Sequence, residues 1–494
     1  MIKLLKIFAI LSAFVLGLSS TVSAQYTVEW AQTYGGDGWD EANTCLETRD
    51  GDYVLGGFAK LQQHNLWVVK VHSDGRARWG KTFTEYFTSA CNSMVQDKDS
   101  NLVLTGYAIR KRDFQSNLLI MKIDTLGNVL WHKTYGGEGD EEGTQVIATS
   151  DGGYAVAGFS SSNPDASPNW YILKVDHDGN MLWEQQFGSS NEDKAMSISQ
   201  CYDGGLVVTG YIGSENDGQK VMSIVKLDKD GHDEWTQYYD LNNWSCGTAI
   251  VATRDSLIMA AGYTRAFSIT DYDVFLLKCQ MNGDTIWTRT YGNENWEEAT
   301  ALIETYDNAF VISGFNMSNV RDHSSFLMLK YDAKGNLMWE RSFKRKSQDY
   351  AKFLVETRDN GLLLAGTTFS LGKGWDMAAL KMKNNERTDL FFSFPTDSLS
   401  TTLLDKLTFR MCLNSFGIPN KVKVTVNGEM QIVDSEFHRP SPDEQQKGCD
   451  FPLEYTVDLY PGYNRIRLEI HDYKNYSFEK EIDVYRLPGY DFVR

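Results

Sequence analysis

Two kinds of apolar pattern alternate along most of this chain, and both belong to β-strands. Runs such as Tyr53-Val-Leu-Gly-Gly-Phe58 and Leu206-Val-Val-Thr-Gly-Tyr211 are apolar at consecutive positions, as in a strand covered on both faces. Runs such as Trp131-His-Lys-Thr-Tyr135 and Trp183-Glu-Gln-Gln-Phe187 alternate large apolar with polar residues, as an outer strand with one wet face does. A complete unit is legible between 143 and 187. It has strands over 143–149, 154–160, 171–176 and 181–187, with tight turns at Asp151-Gly152-Gly153 and Asp176-x-x-Gly179. Each unit is therefore a four-stranded antiparallel meander.

The unit repeats. Trp30, Trp79, Trp131, Trp183, Trp235, Trp287 and Trp339 are separated by one step of 49 residues and five of 52. Each is followed twenty residues later by an Asp (Asp50, Asp99, Asp151, Asp203, Asp255, Asp307, Asp359) and twenty-seven later by a Gly (Gly57 to Gly366). Repeats of this length with four short strands are propeller blades. Small residues (Ala42, Cys91, Gly143, Ala195, Gly247, Ala299, Ala351) occupy one position of the first strand, which places that strand innermost, where seven first strands crowd one axis. After the seventh third strand no Trp follows, whereas Trp30 to Tyr34 stands at the start as a fourth strand without a blade. The expectation is an all-β, seven-bladed β-propeller closed by its N-terminal strand, which leaves no sheet edge at the seam.

The string Trp131-His-Lys-Thr-Tyr-Gly-Gly-Glu-Gly-Asp140, then Asp151-Gly-Gly-Tyr-Ala-Val-Ala-Gly158, resembles the bacterial seven-bladed propeller repeat W-x-x-x-Y-G-G-x-x-x-D…D-x-G-x-x-Y-V-x-G. The chain is similar to the exported members of that family common in Bacteroidetes, over residues 30 to about 385. The resemblance implies the fold and no particular activity, because the family carries many roles.

The ends add a leader and a second domain. Lys3 and Lys6, an apolar run from Ile7 to Leu18 and Val22-Ser23-Ala24 make residues 1–24 a signal peptide, with the mature chain starting at Gln25. Residues 25–385 form the propeller. The repeat stops there, and 386–494 is again strand-rich, with strands expected over 404–413, 421–426, 429–433, 455–459, 465–471 and 477–485 and a hairpin turn at Asn427-Gly428. This pattern predicts a small β-sandwich. Leu459-Tyr-Pro-Gly-Tyr-Asn-Arg-Ile466 is similar to the final hairpin of immunoglobulin-like modules of bacterial surface proteins. Cys412 and Cys449 share this segment and are the expected disulfide, while Cys45, Cys91, Cys201, Cys246 and Cys279 read as buried thiols.

The formal charge of −18 becomes −20 once Lys3 and Lys6 leave with the leader, and no basic tract interrupts it. Such a surface repels phosphate backbones, which argues against a nucleic-acid partner. No run beyond the leader is long and apolar enough for an integral membrane segment. The expected location is outside the cytoplasm: periplasmic, cell-surface or secreted.

In a blade ordered from inner to outer strand, fourth-to-first and second-to-third connections share one face. The hairpins on the opposite face are uniform, whereas the second-to-third loops vary, which makes theirs the recognition face. The candidate ligand-binding residues are His64, Arg110, Arg112, Phe114, Trp170, Asp271, Tyr272, Arg321, His323, Trp375 and Asp376, a mixture suited to a protein or glycan partner. For Trp170 and Trp375 the alternative is packing against the next blade. An acidic residue recurs ten positions after the Trp, as Asp40, Glu141, Asp193, Glu297 and Asp349. As an axial ring these carboxylates would suit Ca²⁺; otherwise each caps its own turn. The third-strand lysines (Lys70, Lys122, Lys174, Lys226, Lys278, Lys330, Lys381) are expected to neutralise hairpin aspartates.

No Cys-Cys pair, Gly-x-Ser-x-Gly elbow, zinc helix or phosphate loop appears. The preferred expectation is thus an exported, non-catalytic binding scaffold without a cofactor. The alternative is a carbohydrate-active enzyme on the same frame.

Overall fold

The computed structural model describes residues 25–384 apart from 113, 215–218, 240–243, 266–270, 293–294, 306, 318–322, 344–347 and 370–373, together with eight strands between 390 and 486. The leader and Cys449, and with it the expected Cys412–Cys449 pairing, fall outside the described residues. All described elements are β-strands. Seven four-stranded sheets cover 40–82, 88–135, 141–187, 194–239, 245–291, 296–343 and, for the seventh, 349–384 with Tyr26–Tyr34 added. In the seventh sheet Tyr26–Tyr34 runs antiparallel to Asp376–Asn384, from Tyr26 opposite Asn384 to Tyr34 opposite Met377. The N-terminal strand therefore does complete the last blade.

Seven hydrophobic clusters, one between each pair of successive sheets, make the ring closed. The cluster between blades seven and one, for example, joins Leu363, Ala365, Met377 and Ala379 to Ala42, Cys45, Leu55 and Val69. Two local devices set the spacing. Every innermost strand carries a bulge just after its small residue. The bulge swings a carbonyl over the second strand, where a Cβ on Gly57, Gly158 or Gly314 would lie 1.8 to 2.0 Å from that oxygen, so only glycine fits. The bulged side chain then reaches the next blade: Asn92, Thr144, Thr248 and Thr300 donate to the carbonyls of Gly143, Ala195, Ala299 and Ala351 at 2.8 to 2.9 Å.

The small series faces a neighbour as well as the axis. A Cβ on Gly143 or Gly247 would stand 2.2 or 2.1 Å from the Thr105 or Thr209 hydroxyl of the preceding blade.

The recurrent Trp explains the second recurrent glycine. Each indole of one blade lies on the hairpin between third and fourth strands of the next, Trp79 on Gly127, Trp131 on Gly179, Trp183 on Gly231, Trp287 on Gly335. These glycines have φ of +74 to +90°, and a Cβ there would meet the ring at 2.7 to 3.0 Å. At the seam Trp339 meets no such hairpin. Its Nε1 donates to Gln25 Oε1 at 2.9 Å and its ring packs on Tyr26, 5.7 Å between centroids.

All seven third-strand lysines are buried and paired with an aspartate of the first hairpin in their own blade, at 2.5 to 3.0 Å. Six use the Asp twenty residues after the Trp. In blade two Lys122 pairs instead with buried Asp97, which stands where the other blades have Thr or Cys.

The C-terminal segment forms two sheets. One holds Leu390–Ser393, Lys406–Leu413 and Phe451–Asp458; the other holds Ser400–Thr402, Ser477–Arg486, Gly462–Asp472, Pro419–Val426 and Glu429–Asp434. The six expected strands are present. The two additional ones have four and three residues, too short to show a period. Asn427 and Gly428 have φ of 53 and 87°, the paired positive values of a tight hairpin.

Two stability predictions follow from these contacts. Tyr26→Ala removes a ring that is 1 % exposed at the seam and should cost about 3–5 kcal/mol, whereas Val28→Ala, on a side chain 47 % exposed in the same strand, should cost under about 0.5 kcal/mol; urea melts distinguish them. Asp307→Ala strands the fully buried Lys330 ammonium and should lower stability by about 3–5 kcal/mol. Lys330→Met, which leaves the partly exposed Asp307 hydrated, should cost less; the reverse order of the two melting points would show that the lysine is not buried as a charge.

Candidate functional site

The structure divides the candidate ligand residues into three groups. Trp170 is fully buried between blades three and four, with Nε1 donating to Tyr211 O at 2.8 Å, and Asp376 is 4 % exposed beside Gly35. Both are interior residues: Trp170, second in its third strand, packs between blades, and Asp376, first in another, lies against the loop that leaves its own blade. Arg110, Arg112, Phe114 and His323 are exposed, with Arg110 Nη2 donating to Thr134 Oγ1 and Phe114 edge-on to Phe87 at 5.7 Å. Arg321 lies outside the described residues. His64, Tyr272 and Trp375 join aromatic clusters, and Asp271, partly exposed, adjoins Tyr272.

The larger cluster spans blades six, seven and one. Trp375 lies 6.3 Å from Trp39, 5.9 Å from Tyr350 and 5.4 Å from Phe369; Tyr350 continues to Phe315 at 5.1 Å. On the other side Trp39 contacts Phe58 and His64, and His64 stacks on Phe58 at 4.3 Å. Trp39 is 41 % exposed and Phe369 47 %. A smaller cluster links Tyr263, Tyr272 and Trp296 across blades five and six, with the Arg265 guanidinium 5.2 Å from the Tyr272 ring.

Trp39 and Trp296 occupy the same repeat position, nine residues after the recurrent Trp, and so does Trp244 of blade five. Trp39 and Trp296 also share a partner, each indole donating to a glutamate two residues on, Glu41 at 2.8 Å and Glu298 at 2.7 Å. Blades two, three and four carry Thr88, Asp140 and Glu192 at this position. The loop face thus carries linked aromatic clusters over blades five, six, seven and one, while blades two, three and four are polar at the repeat position and blade two adds the separate pair Phe87–Phe114. Aligning the repeats at that position reveals the asymmetry; scanning only the second-to-third loops misses it.

The five recurrent carboxylates do not form a ring open at the channel mouth. All are at most 4 % exposed. Asp40, Glu141 and Asp193 each accept the N–H four residues earlier, from Gly36, Gly137 and Ser189. The same carboxylates reach the second strand, Asp40 accepting from Lys60 N and Asp193 from Gly213 N, and Glu141 from Ser160 Oγ. Glu297 accepts from Asn316 Nδ2, and Asp349 from Thr368 Oγ1. Asp40, Glu141 and Asp193 thus pin their entry loops to their own sheets, and Glu297 and Asp349 hold the second strand.

Where described groups do converge with metal-like spacing, it is on the hairpin face: Asp97, Asp99 and His177 lie within 4.8 Å of one another. A cation of the chain already sits among them. Lys122 Nζ is 2.8 Å from Asp97 Oδ2, 2.8 Å from His177 Nε2 and 3.0 Å from the Tyr154 hydroxyl. On the same face a polar cleft of about 430 Å³ between blades three and four is lined by Asp151, Lys174, Tyr202, Asp203, Lys229 and Asp230. Its charges are paired, Lys174 with Asp151, Lys229 with Asp230 and Asp203 with Lys226.

Cys45, Cys91, Cys201, Cys246 and Cys279 are free and buried, and burial pushes the Cys201 and Cys246 thiols up to about 12. They are packing groups rather than nucleophiles.

These features define a seven-bladed β-propeller with a further all-β segment. No family model and no curated protein matches the sequence. Solved structures of similar shape include the extracellular domain assigned to a hybrid two-component system of B. thetaiotaomicron, 10 % identical, TM-score 0.42, covering 93 % of this chain, which spans 57 % of that one. The periplasmic gluconolactonase of Pseudomonas aeruginosa is 14 % identical with TM-score 0.43, over 67 % of this chain and 96 % of its own. The β-propeller domain of the Trilobed protease from Pyrococcus furiosus is 10 % identical with TM-score 0.41, over 72 % and 96 %. The propeller assignment rests on the seven sheets themselves.

Burial raises the Glu298 carboxyl from its ordinary range to about 7, against the opposing effects of the Trp296 indole N–H and Lys352. The folded state therefore holds a proton there that the unfolded state releases between about pH 4.5 and 7, and stability falls as pH rises through that window. Glu298→Gln should flatten that fall, so that the variant gains on the parent chain at pH 8 relative to pH 5 in denaturant titrations. An unchanged difference between the two pH values would place Glu298 in water.

Proposed function

We propose that this chain is an exported, non-catalytic binding scaffold of the periplasm, cell surface or secreted fraction, whose variable-loop face takes a protein or glycan partner. The aromatic crescent carries this reading: Trp39, Trp296 and Phe369 are 37 to 47 % exposed on one face of a rigid ring, and exposed clustered aromatics are the commonest anchors of protein and sugar contacts. Supporting it, the recurrent acids are occupied in holding loops and the recurrent lysines in ion pairs, so the repeated charged residues serve the frame. In this reading residues 386–494 form an immunoglobulin-like module that spaces or docks the propeller.

The test is capture by the mature protein on glycan arrays and from native envelope extracts, compared with Trp39→Ala/Trp296→Ala. Losing two anchors should weaken a captured ligand by about 30-fold, some 2 kcal/mol, while Tyr202→Ala on the hairpin face should leave it unchanged. Equal capture by the double variant would move the binding site off this face.

A further inference from the structure

We propose that blades one and six each carry a sugar subsite, and that the ligand of the loop face is a neutral hexopyranose oligosaccharide lying across blade seven between them. The inference rests on the binding-face reading above and chooses between the two partners it allows.

Four observations carry it. First, one side-chain box is built twice. Trp39 and Trp296 stand at the same repeat position, and each indole donates to a glutamate two residues on, at 2.8 and 2.7 Å. Each glutamate lies cross-strand from a phenylalanine, Glu41 opposite Phe58 and Glu298 opposite Phe315. The frame does not require the combination: blade five has Trp244 without the acid, and blade three has Glu142 without the indole. The rings of blade seven join the two boxes, from Phe315 to Tyr350 at 5.1 Å, Tyr350 to Trp375 at 5.9 Å and Trp375 to Trp39 at 6.3 Å.

Second, the carboxylate at the edge of each ring decides the chemistry of what can cover it. An aliphatic or aromatic anchor from a protein would strip water from Glu41 or Glu298 and return no donor, which is costly for a charge. Acidic residues are depleted from the cores of protein interfaces for the same reason. A pyranose lays its C–H face on the indole and turns hydroxyl groups to the rim. A carboxylate accepts about four hydrogen bonds; the indole supplies one, and the hydroxyls supply more.

Third, charge selects the kind of sugar. The two box glutamates, on a chain of net charge −18, oppose uronic or sulfated residues and leave neutral ones.

Fourth, the first box is open. The connection between second and third strands is three residues long in blade one, 61–63, and six to eight residues long in the other blades. Trp39, beneath the short connection, is 41 % exposed.

The test is calorimetric titration of the mature protein at pH 8, where Glu298 is ionised, with neutral gluco-, galacto- and manno-oligosaccharides, and with uronate and sulfated oligosaccharides for comparison. At least one neutral series should bind, its hexasaccharide about tenfold or more tighter than its disaccharide because the longer chain engages both boxes. Glu41→Gln/Glu298→Gln keeps an acceptor for each indole and removes the charge; it should weaken binding about tenfold without lowering the melting temperature. Heat from none of the neutral sugars, tighter binding of the anionic ones, or equal binding by the glutamine variant would overturn the proposal. In that event, an envelope protein captured by the parent chain and lost by Trp39→Ala/Trp296→Ala would leave the binding-face reading standing, whereas unchanged capture would overturn both.

Discussion

The contact between an indole and a glycine hairpin of the next blade is the interaction on which the architecture depends. A β-sheet specifies its own strand pairing but not its angle to a neighbouring sheet. Here the angle is fixed at the outer rim, where the ring of Trp131 or Trp183 lies flat against Gly179 or Gly231. It is fixed again at the inner rim by the bulge side chains that reach the next innermost strand. Between these rims the apolar clusters fill the wedge. A side chain at the hairpin glycine would hold successive blades apart at the rim, and the error would accumulate around the ring.

This explains why so much of the fold was legible. Trp, Asp and the two glycines recur at fixed spacing because each is one half of a contact repeated around the circle, and a half-contact tolerates no drift. The closing strand was legible for the same reason: the seventh Trp has no successor, and the only unassigned fourth strand is at the other end of the chain. The lysine pairs followed from the cost of an unpaired buried charge. What the repeat conceals is direction. Trp170 and Asp376 open third strands, and one residue's difference along a strand decides between the loop surface and the gap between blades. The carboxylates ten residues after the Trp stand at the start of the innermost strands, all but Asp193 within the strand rather than in the loop before it, and that position alone does not say whether a side chain turns outward or back onto its own backbone. Phe58 and Tyr350 come from strands of two blades and Trp39 from the loop before the first, and no spacing in the sequence announces that Trp375 joins their rings across the seam.

Departures from the repeat are as informative as the repeat. Asp97 stands where blades one, three, five, six and seven have a Thr that donates to the hairpin Asp. Substituting a carboxylate there moves Lys122 off Asp99 and onto Asp97, which leaves Asp99 to His177. His177 reaches across from blade three to Asp99 and Lys122, so the exception is absorbed at the neighbouring blade and the sheet geometry is kept.

The two faces of the ring therefore answer to different constraints. On the hairpin face each turn must fit under an indole and close an ion pair, so its residues are set by the frame and vary only when a neighbour compensates. On the loop face the frame ends at the buried carboxylates, which in blades one, three and four accept from the entry loop, and the side chain of the residue just before them is not held to one type. That residue is Trp in three blades and Thr, Asp, Glu or Gln in the other four. Because the loops are held by buried hydrogen bonds, a large aromatic placed there is presented in a nearly fixed position and little conformational entropy remains to be lost when something covers it. Variation without structural penalty, on a support that stays rigid, is the physical condition under which a repeat scaffold acquires a specific surface.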